Sequence, residues 1–235
     1  MTGSVQTYAR ITGLLFLISM LAGFFGEVYV PSKLIVSRDA AATARNITES
    51  DSLFRAGFAS YLLEAICDIA LSLTLYILLR PVRNDLALLA AFCLVSTALF
   101  GVAEMFYFGA SVILKSTGFS PDERNALALL SLKAYGYAGE IFMALYGIAT
   151  FIRGHLIYRS RYLPRFLGII LMVAGVGFVI KNFTLVLAPR YASDFFLLPM
   201  FLAALSMTLW FLIKGVDVAK WEEATSSSVP ARSAP

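Results

Sequence analysis

Histidine occurs once in these 235 residues, at His155, and cysteine twice, at Cys67 and Cys93. A lone histidine disfavours metal sites built on several imidazoles. It also removes Ser-His-Asp chemistry unless that one residue is the base. Both cysteines fall inside apolar runs with no second ligand at metal-binding spacing, so they read as small hydrophobes. No cofactor and no metal are expected. Charge is scarce as well, at 14% of residues, and the formal net charge is only +4. The basic residues are scattered over loops rather than gathered on one face, which argues against nucleic acid as a partner.

What the chain has in abundance is apolar sequence: 59% hydrophobic residues and a mean hydropathy of +0.78. That is too apolar for an ordinary soluble domain. Runs of about 20 apolar residues match the thickness of a bilayer core. They predict an all-α fold, a polytopic integral membrane bundle of six transmembrane helices at about 8–30, 53–79, 86–114, 122–152, 165–187 and 195–213. The first run is longer than the core of a signal peptide and lacks a small-residue cleavage site directly after it, so it is expected to be retained. Pro31 is expected to end it. The alanine-rich stretch AAATARNIT in the connection that follows predicts a short interfacial helix. Ser120, Pro121 and Glu123 match the N-cap, N1 and N3 positions of a capped helix start. Residues 1–215 read as a single transmembrane domain, and the polar stretch 216–235 as a cytoplasmic, mostly disordered tail.

With six spans, one side holds ten basic residues: Arg10, Arg80, Arg83, Arg153, Arg159, Arg161, Arg165, Lys214, Lys220 and Arg232. The other holds seven: Lys33, Arg38, Arg45, Arg55, Lys115, Arg124 and Arg190. The short basic turns decide the orientation and place both termini in the cytoplasm. The expected location is the plasma membrane, the inner membrane of a bacterium, with membrane lipids as partners.

Within the second run, YLLEAICD sets Glu64 and Asp68 one helical turn apart on one face. Charge at membrane depth costs a few kcal/mol per group on insertion scales, so it faces a partner or a polar cavity. Helix periodicity extends that stripe to Tyr61 and Ser72. It also aligns Glu104 with Thr97, Gly101 and Ser111, and Lys133 with Tyr137, Glu140 and Gly147. At about 1.5 Å per residue, Glu64 and Glu104 lie roughly 16 Å below the outer boundary, Lys133 about 12 Å, Lys181 about 9 Å and Glu140 about 22 Å. The ligand-pocket candidates are therefore Glu64, Asp68, Glu104, Lys133, Tyr137, Glu140 and Lys181. Two lysines cannot neutralise these acids together with Glu27, so the surplus calls for protonation, hydration or a cationic or proton-donating guest. Locking of helix register by interhelical ion pairs is the competing explanation. Gly168, Gly175 and Gly177 read as close-packing positions, and Tyr107, Tyr135 and Tyr146 as packing or interfacial anchors.

Several stretches carry a family resemblance: YARITGLLFLISMLAGFFGE, DAAATARNI followed by LFRAGF, LYILLRPVRNDLALLAAF, KAYGYAGEIFMALYG and YRSRYLPRFLGIILMVAG. Together they resemble the bacterial and archaeal membrane family called domain of unknown function 4386, over about residues 6–215. The resemblance implies a six- or seven-helix membrane protein and assigns no residue a role.

Three functions suit this pattern. The first is a module that binds or moves a small amphiphile or cation in an outward-opening acidic pocket. The second is an acid-base enzyme acting on an isoprenoid or lipid within the membrane. The third is a structural or regulatory partner of another membrane protein, docking through the basic stretch 153–165. The residues leave the oligomeric state open.

Overall fold

The computed structural model describes residues 2–97, 100–191 and 193–228, with the side chains of 2–4, 94–103, 140–142 and 194 outside that description. Every regular element among them is helical. The first apolar rod runs through α1 (Thr2–Gly23), a π-helical turn (Phe24–Tyr29) and α2 (Val30–Leu34). The short helix α3 (Ala40–Glu49) follows, capped by Asp39, whose carboxylate accepts from Ala42 N–H at 2.8 Å. Then come α4 (Asp51–Leu79), α5 (Asn84–Thr97), α6 (Phe100–Leu114), α7 (Pro121–Arg159), α8 (Arg165–Leu187), α9 (Leu197–Ile213) and α10 (Val218–Ser228). Four of these rods are long and apolar enough to cross a membrane; the count is five if α9 and α10, bent by 101° at their junction, form one span. This is a membrane protein by length and composition.

The boundaries of α4 and α8 fall where the apolar runs placed them, and α3 occupies the predicted interfacial stretch. The start of α7 is a complete capping box: Ser120 Oγ accepts from Glu123 N–H, and Glu123 Oε2 accepts from Ser120 N–H at 2.8 Å. Four expectations are corrected or left open. The first rod passes Pro31 and ends at Leu34. The π turn ahead of it shifts the ladder, with Val30 N–H bonding to Phe25 C=O, so the donor that proline lacks falls in an already altered register. Helix α7 continues to Arg159 and absorbs much of the expected basic loop, because Leu156 and Ile157 sustain its buried face. Residues 218–228 form a helix where a disordered tail was expected, because Trp221 and Ala224 pack onto the bundle. The run 86–114 is covered by α5 and α6, both shorter than a span, and residues 98–99 between them lie outside the described residues.

Neighbouring helices close a ring in which α1 packs on α4, α4 on α5, α5 on α7, α7 on α8, α8 on α9 and α9 on α1. Helix α6 packs against α7 and α4. Lipid tails are as apolar as leucine, so association in a membrane rests on close contact rather than on exclusion of water. The largest interface shows how that contact is made. Glycines seven residues apart on α7 (Gly147, Gly154) meet glycines seven apart on the antiparallel α8 (Gly175, Gly168). A Cβ at Gly168 would stand 2.6 Å from Gly154 O, and one at Gly175 would stand 2.6 Å from Gly147 O. Gly177 is in ordinary contact distance only, 3.5 Å from Phe196.

Two apolar cores form along the bundle. One gathers Leu75, Leu78, Leu156, Ile157, Leu167 and Phe211. The other gathers Ile47, Phe54, Tyr61, Tyr107, Ala128 and Leu132, with Phe54 stacked on Tyr107 at 4.4 Å. At the end near the first core, Leu78 C=O accepts from Tyr162 Oη (2.7 Å) and Trp221 Nε1 (3.1 Å), which satisfies a terminal carbonyl of α4. Gln6 bonds there to Lys214 C=O (2.9 Å) and Val216 N–H (3.2 Å) across Gly215, whose φ of +73° suits glycine. The N-terminus, the turns after α4 and α7, and α10 thus share one end.

Candidate functional site

Between the two cores lies a polar level. On α4, Glu64 stands 13 residues after Asp51, about 20 Å along the axis and close to mid-helix. Asp68 follows one turn later on the same face. On α1, Ser19 faces Asp68 and donates its hydroxyl to Oδ1 at 3.2 Å. One turn further along α1, Gly23 makes room for the other acid: a Cβ there would stand 2.9 Å from Glu64 Oε1. Next comes the π turn, a distortion frequent at functional sites, which carries Glu27. Tyr61 Oη donates to Gly26 C=O within it at 2.7 Å, anchoring the turn to α4.

These groups surround a cavity of about 200 Å³. Glu27, Glu64, Asp68 and Glu104 supply its acidic lining; Met20, Met143 and Met200 supply adaptable apolar surface from α1, α7 and α9. A single water needs roughly 10–15 Å³ by the same kind of measure, so the space holds several waters or a small polar head. Glu104, on α6, is 2% exposed, and its Oε2 has no hydrogen-bond partner among the described residues. An orphaned carboxylate oxygen at that burial is costly unless something enters to satisfy it. Like charges also gather here, since Glu27, Asp68 and Glu104 all act on Glu64.

A buried cation next to this level lies in a stretch that the sequence reads as loop: Arg153. It is 4% exposed on α7, with Nη2 donating to Thr150 Oγ1 at 2.8 Å, Nε to Ala149 C=O at 3.1 Å, and the guanidinium 5.4 Å from the centre of the Tyr146 ring. Its charge attracts Asp68. The signal was legible: Tyr146, Thr150 and Arg153 stand at i, i+4 and i+7, and apolar residues continue beyond them. Ser19 and Gly23 carried no sequence signal of their own, because their part depends on which helix packs against α4.

The candidates separate accordingly. Glu64, Asp68 and Glu104 converge on the cavity, as do Glu27 and Tyr146. Lys133 is exposed, and Tyr137, at 62% exposure, lies on the outer surface of α7; neither lines the cavity. The face of α7 that does so is set by Met143 and Tyr146, about 120° and about 180° around the helix from Tyr137. Lys181 is buried on α8, one turn beyond the cavity-lining Phe178, without itself reaching the lining. The Glu140 side chain lies outside the described residues. Tyr107 and Tyr135 pack with Tyr61 at centroid distances of 5.3 to 5.4 Å, an aromatic layer beside the cavity.

No solved structure matches the chain. It is similar to an uncharacterised protein of Archaeoglobus fulgidus, with 30% identity over 151 residues that make up 64% of this chain and 78% of that protein. The family model described as domain of unknown function (DUF4386) matches residues 11–215. This membrane protein belongs to the DUF4386 family.

Proposed function

We propose that the protein binds a small amphiphile through a cationic or hydrogen-bond-donating head held in the acid-lined cavity between its two apolar cores. The observation that carries this reading is Glu104 Oε2, buried without a partner among the described residues, in a space shared with Glu64 and large enough for a head group. Every acidic group lining the cavity offers acceptors, which suits a donor-rich guest such as an amine. Arg153 acts through space on Asp68, and Glu64 and Glu104 are the acids taken to meet the guest head. The same reading takes the chain as a multi-pass protein of a plasma membrane. In it α5 and α6 together complete a sixth crossing, and the end holding Arg80, Arg83, Arg159, Arg161 and Lys214 faces the cytoplasm.

Native mass spectrometry of protein released from native-lipid nanodiscs tests the proposal, with wild type measured beside Glu64→Gln/Glu104→Gln. A small molecule retained by wild type and lost by the folded double variant is the expected result. Loss of thermal stability alone, with no guest on either form, would make the acids structural.

A further inference from the structure

Helices α1 and α9 are clamped at one end. Arg10 donates to Leu212 C=O, Gln6 donates to Lys214 C=O, and a Cβ at Gly13 would lie 2.8 Å from Leu212 N. The cavity lies between the pair about 16 Å further along α1. Met20 and Phe24 on one rod, and Met200, Phe201 and Ala204 on the other, line the cavity between them. Phe24 and Phe201 are 60% and 52% exposed while also lining it, so they stand at its rim. The surface around that rim is apolar and exposed at Leu21, Val28, Leu198 and Leu202, the kind of surface that lipid covers. Glu104 and Asp68, both buried, line the same cavity as the two phenyl rings.

We infer that the cavity is entered sideways from the hydrocarbon of the bilayer, between Phe24 and Phe201, and that its occupant is an amphiphile with a basic nitrogen head and an apolar tail lying through that gap. The nature of the head rests on the function proposed above; the route rests on the geometry of α1 and α9. The rim carries one exposed acid, Glu27, among its apolar residues, and a lipid-phase amine carries its own apolar part to fill the gap between the phenyl rings. The methionines at 20 and 200 accommodate such a tail without a fixed shape.

The test uses Phe24→Trp and Phe201→Trp, each near-isosteric, in bilayers containing phospholipid brominated at mid-chain. Quenching is read as the increment over the protein's own two tryptophans. Both reporters should be quenched by the brominated lipid at least twice as strongly as by aqueous acrylamide. Dodecylamine should cut that lipid quenching by half or more, butylamine should not, and an outward control, Ile69→Trp on α4, should be indifferent to both amines. Stronger quenching by acrylamide at 24 and 201, or equal protection by butylamine, would overturn the lateral route. Protection by dodecylamine that survives Glu64→Gln/Glu104→Gln would instead refute the acidic head site while leaving the route in place.

Discussion

Gly23 on α1 and Glu64 on α4 share one space, and a single methyl group at the glycine would come within 2.9 Å of the carboxylate. The atom it would meet is the end of a flexible side chain, so the helices can stay packed while the acid is pushed aside. Gly23→Ala should therefore leave the melting temperature of the purified protein nearly unchanged. It should weaken retention of dodecylamine by about tenfold, roughly 1.4 kcal/mol. Unaltered retention would show that the position of Glu64 does not matter to the guest.

The glycine seam between α7 and α8 predicts the opposite pattern. A side chain at Gly168 or Gly175 meets backbone atoms at 2.6 Å, which cannot give way without moving a helix. Gly168→Leu should destabilise by about 3 kcal/mol or prevent folding, whereas Gly177→Ala should shift the melting temperature by little. Thermal unfolding in detergent distinguishes the two.

Arg153 and Asp68 are buried side chains of opposite charge that act on each other through space. Replacing one of them leaves the other buried with less compensation, at a cost of about 1–3 kcal/mol. Arg153→Leu should fall in that range, and Arg153→Leu combined with Asp68→Asn should recover part of the loss. A double-mutant cycle in unfolding free energy measures the coupling. Additive effects would separate the two residues.

Helix α10 is held by the Trp221 Nε1 bond to Leu78 C=O and opened by Asp217, whose side chain accepts from Lys220 N–H at 3.3 Å. Trp221→Phe should cost about 1 kcal/mol and expose 218–228 to limited proteolysis. The Lys220 side chain, bonded to Asp217, holds that carboxyl below the usual aspartate range. A depressed folded value means the contribution is present above the ordinary aspartate pKa of about 3.9 and is lost as pH falls through the lower folded value. Acidification below that point should loosen α10, read as increased proteolytic cleavage within 218–228, and Asp217→Asn should abolish the pH dependence.

Long apolar runs made the helices legible in the sequence, and the capping residues at Ser120 and Glu123 marked one start to the residue. Glu64, Asp68 and Glu104 were legible as candidates because acids are expensive at membrane depth wherever they occur. Their separation from Lys133 and Tyr137 was not, since a stripe at helical spacing states which residues share a face but not which neighbour that face meets. Arg153 was misplaced by treating the end of hydrophobicity as the end of a helix. The tail helix was missed because its anchor is tertiary: Trp221 finds its acceptor on α4, 143 residues away in sequence.

The guest head is proposed to lie between Glu64 and Glu104, with its tail between α1 and α9. The most direct measurement is photolabelling in bilayers with a diazirine-bearing alkylamine, followed by mass-spectrometric mapping. Adducts are expected on residues 16–27 and 200–204, competed away by unlabelled dodecylamine and lost in Glu64→Gln/Glu104→Gln. Labelling spread evenly over outward positions such as Ile69 and Val173, indifferent to competitor and to the acids, would contradict it.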